Sequence, residues 1–216
     1  MKRYIVMITA LVMLSMNAFA DTLKVVTTYP YIASIVEQIG KEHVKVQSLA
    51  RGDYDPHTIT PKPSFISKLR KAELLIINGG QLEIGWIPPL LKQANNPAVN
   101  AGSPGFLDLS QLVKLIDVPK SVSRELGDVH PDGNPHYYLD PHNIPPLAKG
   151  ITAKLSSLDS AHAAVYAKNR DLFLKSWQAK CLQWDSKLSG FKGKKVIEYH
   201  KNFDYLLRRF GILLAG

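Results

Sequence analysis

Short β-rich runs alternate with helical segments along the first third of the chain. The runs at 23–28, 44–49 and 74–78 are dense in β-branched and aliphatic residues. Between them, residues 31–39 and 64–71 place apolar side chains at helical spacing. This alternation predicts an α/β fold built on a parallel sheet with helices on both faces. In such sheets ligands bind beyond the carboxyl ends of the strands, so the loops that follow them are candidate sites.

A long helix is predicted further along the chain. Residues 147–157 read as one helix and 160–188 as a second, with Asp159 as a plausible N-cap. At 1.5 Å per residue the second helix would run on the order of 40 Å, longer than a small lobe is wide. It is therefore predicted to link two lobes. Other segments predicted to be regular are strand-like runs at 106–109, 113–118 and 196–199 and a helix at 203–210.

The first twenty residues have the pattern of an export signal. Met1-Lys2-Arg3 supplies positive charge, residues 4–14 are apolar, and Ala18-Phe19-Ala20 matches a cleavage site. The apolar run is too short to cross a bilayer as a helix. We therefore predict a signal peptide at 1–20 and a periplasmic mature chain beginning at Asp21, with an uncleaved anchor as the alternative. No cysteine lies near the cleavage point, so no lipid anchor is expected.

Charge and cysteine content narrow the function classes. Residues 21–149 carry 13 Lys/Arg against 13 Asp/Glu, while residues 150–216 carry 12 against 5. A basic end can bind nucleic acid or an anionic membrane. For an exported chain whose lysines are spread along a helix, a solvated helix face is the better interpretation, and no nucleic-acid partner is expected. Cys181 is the one cysteine, which excludes a disulfide framework or a cysteine-based zinc cluster.

Three histidines stand in distinctive local settings: Asp-Pro-His at His57, Asn-Pro-His at His136 and Glu-Tyr-His at His200. Neutral imidazole is the commonest protein ligand for a transition metal, and three are one short of a tetrahedral zinc shell. Only a fold can bring such distant residues together. On the residues alone, each could equally be structural, His57 and His136 in tight turns and His200 at a strand end.

Other polar residues receive weaker assignments. His130 could capture metal and pass it inward, or could be a solvated loop residue, which we favour. Asp140 and Glu198 could orient a ligating imidazole through its other nitrogen, or could be ordinary surface carboxylates. The remaining histidines are expected to be structural or at the surface: His43, His142 and His162.

Several motifs together resemble one protein family. They are Thr-Thr-Tyr-Pro at 27–30, Gly-Asp-Tyr-Asp-Pro-His at 52–57, Pro-x-Pro-Ser at 61–64, Lys-Ala-Glu-Leu-Leu-Ile-Ile-Asn-Gly at 71–79, Asn-Pro-His-Tyr-Tyr-Leu-Asp-Pro at 134–141 and Tyr-His-Lys-Asn-Phe-x-Tyr-Leu at 199–206. With a long helix between the last two, the chain resembles the zinc/manganese solute-binding proteins of bacterial ABC importers. The motifs keep the family's order and span nearly the whole mature chain.

The resemblance implies two α/β lobes with parallel sheets, joined by a long linking helix. It divides the chain into an N-terminal metal-binding lobe at 21–157, the linking helix at 158–190 and the start of a C-terminal lobe at 191–216. His57 and His136 would come from the first lobe and His200 from the second. The family's fourth ligand is an acidic residue near the end of the second lobe, and no position here matches it. We therefore expect an incomplete second lobe and impaired metal capture.

The expected function is capture of a metal ion for an ABC permease in the inner membrane, by a monomer that is not an enzyme. Three imidazoles and one oxygen suit Zn²⁺ better than Mn²⁺, so zinc is favoured and manganese is the alternative. A zinc hydrolase would also use three histidines and an open position. However, the sequence contains no His-Glu-x-x-His and no Gly-x-Ser-x-Gly motif. A metal-binding adhesin is a third possibility.

Overall fold

The structure, a computed structural model, describes residues 22–119, 130–198 and 201–215. The predicted signal peptide at 1–20 and the predicted ligand His200 lie outside the described residues. No helix in the part of the chain that is described has the length and apolar character needed to cross a membrane.

The larger of two sheets is formed by the first four strands. It is wholly parallel, in the order β2-β1-β3-β4. The strands are β1 (Leu23–Thr27), β2 (Val44–Ser48), β3 (Leu74–Ile77) and β4 (Phe106–Asp108). The chain runs from β1 to β2 on one side and then returns to place β3 on the other. The carboxyl ends of β1 and β3 therefore form a topological switch point, where ligands bind in sheets of this kind.

Five helices accompany this sheet: α1 (Pro30–Gly40), α2 (Pro63–Arg70), α3 (Ile87–Ala94), α4 (Ile144–Leu158) and α5 (Ala163–Leu188). Helices α1, α4 and α5 pack against one another, and α2 packs against α3. Helix α1 begins with Pro30, whose fixed φ suits a first turn, and buries Ile32, Val36 and Ile39 at helical spacing. Strand β3 is buried at Leu74, Leu75 and Ile76, as expected for a central strand covered on both faces.

The long linking helix is present, but it starts differently from the sequence prediction. A short 3-10 turn covers Ser160–His162, and α5 follows from Ala163 to Leu188. Asp159 occupies the N-cap position of this turn, but its side chain makes no capping hydrogen bond; its carboxylate accepts a hydrogen bond from Tyr166 and contacts the His162 ring. Only Tyr166 and Cys181 are buried along α5, so most of the helix is solvated.

A smaller unit follows α5. It contains β5 (Lys195–Val196), α6 (Asp204–Phe210) and β6 (Leu213–Leu214), with β5 and β6 paired in parallel. Ile197 is 82% exposed, whereas Tyr205 is 5% exposed and belongs to the same hydrophobic core as the larger sheet. The smaller unit is therefore anchored to the larger one through α6.

The structure departs from the sequence predictions at three elements. The run at 113–118 forms no strand; its Ile116 carbonyl accepts a hydrogen bond from the backbone of Asn134 instead. Helix α3 and strand β6 were not predicted. Pro88 and Pro89 made a helix at this position look unfavourable in the sequence, although proline in the first turn of a helix costs no intrahelical hydrogen bond.

Candidate metal centre

His57 and His136 meet at the carboxyl edge of the larger sheet. Their Nε2 atoms lie 3.2 Å apart, and their rings are inclined by 64°. Two nitrogens that bind one tetrahedral zinc at 2.0–2.1 Å would be about 3.3 Å apart. The pair therefore has the separation of one edge of a zinc shell, although the residues are 79 positions apart in the sequence.

The loop after β2 presents His57. The backbone N–H of His57 donates to Asp55 Oδ1 at 3.0 Å, which closes a tight turn around Pro56. The Tyr29 hydroxyl donates to the Pro56 carbonyl at 3.3 Å and so ties this turn to the end of β1. Asp55 and Pro56 therefore hold His57 in a tight turn, which is compatible with either role given for it, metal ligand or structural residue.

His136 is held more tightly. It is 2% exposed, and its backbone N–H donates to Asn134 Oδ1 at 2.9 Å. Its Nδ1 lies 3.3 Å from the Tyr138 hydroxyl. If Nε2 carries the metal, the proton of the neutral ring is on Nδ1, from which it can donate to that hydroxyl. The Tyr138 ring is itself stacked on Tyr31, with centroids 4.8 Å apart.

The buried carboxylate of Glu83 binds the residues that follow β1 and β3. Glu83 is 3% exposed and accepts hydrogen bonds from the Thr28 hydroxyl and from the backbone N–H groups of Asn78 and Gly79. Burial raises the pKa of Glu83 to about 7, although these hydrogen bonds act to lower it. Thr28 follows β1 and Asn78 follows β3, so Glu83 joins the two strands at the switch point.

Asn78 joins the end of β3 to the His136 loop through two hydrogen bonds. Its Nδ2 donates to the Pro135 carbonyl at 3.1 Å, and its backbone carbonyl accepts from the Tyr137 hydroxyl at 2.6 Å. Both flanking residues of His136 are thus bound to the end of β3. Sequence reasoning missed Glu83 and Asn78. A signal was present, since a glutamate within the apolar run Leu82-Glu83-Ile84 is unusual unless it has buried partners.

His130 also joins the pair. Its ring stacks on His57 with centroids 5.3 Å apart and an interplanar angle of 30°. The sequence analysis favoured a solvated loop position for His130, and the structure places it against a predicted ligand instead. The angle between these two rings is smaller than the 64° between His57 and His136, so His130 meets His57 in a different ring geometry.

The remaining candidates lie in other contacts. Asp140 caps the turn at His142 and lies 3.6 Å from Arg209, and Glu198 accepts from the Phe203 backbone N–H. His43 and His162 stack on one another. The stacking of His43 and His162 fits the structural role expected for them, whereas the roles of Asp140 and Glu198 stay predictions.

No group of three or more His, Cys, Asp or Glu side chains within residues 22–119, 130–198 and 201–215 is arranged to hold a metal ion. Two of the three predicted ligands are brought together, and the third, His200, lies outside those ranges. Lys201 and Asp204, which follow His200 in the sequence, contact the His136 loop through Asn134.

Comparison with known proteins places this chain among metal-uptake proteins. Residues 25–215 match the profile of the family described as zinc-uptake complex component A, periplasmic. The manganese ABC transporter substrate-binding lipoprotein PsaA of Streptococcus pneumoniae is 30% identical over 161 residues, covering 72% of this chain and 48% of that protein. The high-affinity zinc uptake system protein ZnuA of Bacillus subtilis is 25% identical over 202 residues, covering 92% and 61%.

A solved structure has the same fold. The zinc-bound form of a ZnuA deletion mutant is 25% identical, with a TM-score of 0.70 over 90% of this chain and 69% of that one. The chain therefore spans between about half and two thirds of the length of these relatives. The relatives are substrate-binding components of transporters rather than enzymes, and by their names they bind zinc or manganese.

Proposed function

The chain belongs to the family of periplasmic zinc-uptake components, and we propose that it captures Zn²⁺ outside the cytoplasm for an ABC permease, using His57, His136 and His200. The observation that carries the proposal is the 3.2 Å approach of His57 Nε2 to His136 Nε2 at the switch point of the larger sheet. Family membership supports the class of cargo and of partner.

Two features favour zinc over manganese as the cargo. Both paired ligands are imidazoles, whereas Mn²⁺ prefers a shell richer in oxygen. The Asp55 carboxylate beside His57 is already engaged by the backbone N–H of the turn. Manganese is the alternative, because relatives named for each metal match the chain.

Capture would work by closing deprotonated imidazoles on the free ion. His136 contributes a buried, pre-oriented nitrogen, so less conformational freedom is lost when the ion binds. His57 lies in a partly exposed loop and would meet the ion first. Protons compete for the same nitrogens, so affinity should fall as the pH falls through the range of free histidine, near 6.5.

The hydrolase alternative has less support. The relatives are named as substrate-binding proteins, and the sequence contains neither His-Glu-x-x-His nor Gly-x-Ser-x-Gly. The adhesin alternative has no specific structural observation in its favour.

Titration of the purified chain with Zn²⁺ and Mn²⁺, in competition with a chromophoric chelator, tests the proposal. We expect one zinc per chain and an affinity for zinc at least tenfold above that for manganese. Equal affinity for the two ions would remove the zinc assignment, and binding of neither would remove metal capture itself. When single histidines are replaced by alanine in the same titration, His162→Ala is the matched control, because His162 is bound to Asp159 and not to the His57–His136 pair.

A further inference from the structure

Asn134 connects the His136 loop to the smaller unit through a single buried side chain. Its residue is 8% exposed, and its Oδ1 accepts the His136 backbone N–H at 2.9 Å. Its Nδ2 donates to the Lys201 carbonyl at 2.8 Å and to Asp204 Oδ2 at 3.2 Å. The oxygen faces a backbone donor and the nitrogen faces a backbone acceptor, so the amide has one consistent orientation.

The backbone of Asn134 belongs to the same junction. Its N–H donates to the Ile116 carbonyl at 2.8 Å. Its carbonyl accepts from the Tyr205 hydroxyl at 2.8 Å, and that hydroxyl also accepts the Ile116 backbone N–H at 3.0 Å. Asn134 and Tyr205 thus close a ring of hydrogen bonds between the residue 116 segment, the His136 loop and α6.

We propose that Asn134 is a positioning residue for the metal site, which fixes the His136 loop against residues 201–204. This inference rests on the proposed function. Lys201 directly follows the predicted ligand His200 in the sequence, and His136 is two residues after Asn134. One carboxamide therefore fixes the backbone next to one ligand against the backbone next to another.

Such a link affects affinity more than an ordinary buried hydrogen bond does. A metal site requires its ligands to be held within about 0.5 Å of the binding geometry, so a shift of the residue 201 backbone relative to His136 weakens binding directly. Aspartate would not replace asparagine, because it keeps the acceptor, loses both donors and adds a charge beside Asp204.

The chain offers a matched control in Asn96. Its side chain also makes three hydrogen bonds, in this case all to the backbone: it donates to the carbonyls of Leu69 and Ala72 and accepts from the N–H of Ala98. These contacts join α2 and α3 and involve none of the predicted ligands. Asn134→Ala and Asn96→Ala therefore remove the same number of bonds, and only the first removes a link between ligand-bearing segments.

Two measurements on the chain test the inference. By chelator competition, we expect Asn134→Ala to weaken zinc binding by about tenfold or more, and Asn96→Ala to change it by less than threefold. By hydrogen–deuterium exchange without metal, we expect Asn134→Ala to lower protection in 130–140 and 201–210 together. Asn96→Ala should leave both segments protected. Thermal melts of the metal-free variants establish whether their losses of stability are comparable.

Equal zinc affinities for Asn134→Ala and Asn96→Ala would overturn the inference, as would a loss of exchange protection confined to one of the two segments. If Asn134→Ala does not fold, Asn134→Ser takes its place, since a serine hydroxyl can still accept the His136 N–H, adds no charge and lacks the amide that donates to Lys201. Failure of the unsubstituted chain to bind zinc would count against the proposed function, whereas the exchange experiment would still decide the role of Asn134.

Discussion

The Nδ1 atom of His136 lies 3.3 Å from the hydroxyl of Tyr138. When Nδ1 carries the ring proton and donates it to this hydroxyl, Nε2, the atom nearest His57, keeps its lone pair for a metal. Stacking on Tyr31 holds the Tyr138 ring in place, so the hydroxyl has little freedom to leave His136. The tautomer and the orientation of the His136 ring therefore depend on one phenol.

The Tyr138→Phe variant should weaken zinc binding by about tenfold, because outer partners of ligating histidines contribute that much to metal affinity. Stability should change little, because the ring and its stacking remain. Chelator competition measures the affinity. Tyr166→Phe is the control, since that hydroxyl is bound to Asp159, away from the pair; equal affinities for the two variants would show that Tyr138 does not orient His136.

Glu83 should make stability depend on pH. Burial raises its pKa to about 7, against about 4.5 when it is exposed in the unfolded chain. A raised pKa means that the folded state binds the proton more tightly, so the stabilisation is complete below pH 4.5 and is lost as the pH rises through 7. The size of the effect is on the order of 3 kcal/mol.

Urea unfolding at pH 5 and pH 8 measures this difference. Glu83→Gln should lower stability at pH 5, because its amide nitrogen faces a backbone N–H, but it should remove most of the difference between the two pH values. Glu42→Gln is a control at an exposed carboxylate. If Glu83→Gln retained the full pH dependence, another group would be responsible.

Gly79 should not tolerate a side chain. It has a φ of +78°, and a Cβ atom there would overlap the carboxylate of Asp108. Its N–H also binds Glu83, so any displacement disturbs the switch point. Gly79→Ala should cost about 3 kcal/mol or more, measured by chemical denaturation, and should weaken zinc binding.

A substitution at Gly102 distinguishes backbone strain from steric overlap as the cause of that loss of stability. Gly102 has a similar φ of +84°, but a Cβ atom there meets open space. Gly102→Ala should therefore cost only about 1 kcal/mol from backbone strain. Equal losses at the two glycines would mean that steric overlap with Asp108 is not important.

The sequence predicts the elements of the larger sheet well, because their signals are local. The apolar run at 74–78 and the alternation at 44–49 correspond to β3 and β2 within one residue. The strand predicted at 113–118 fails because β4 already ends the sheet at Phe106–Asp108, and the segment instead meets Asn134 and Tyr205. The amino-acid pattern of a segment does not show whether it will pair with a sheet or contact other residues.

The site is predictable only in part for the same reason. Proline before His57 and His136 marks them as rigidly presented, but nothing local indicates that their rings approach to 3.2 Å. The resemblance to a family supplied that expectation. The supporting residues Glu83, Asn78 and Asn134 were missed, because each makes a hydrogen bond to a residue far along the chain that only the fold brings near: Thr28, Pro135 and Lys201, respectively.

Zinc affinity of the variants His57→Ala, His136→Ala and His200→Ala, measured by chelator competition beside His162→Ala, tests the central claim most directly. We expect each of the first three variants to lose about a hundredfold or more in zinc affinity, because each removes one of the three proposed histidine ligands. His162→Ala should bind zinc like the unsubstituted chain. Unchanged zinc binding in any one of the first three variants would contradict that prediction.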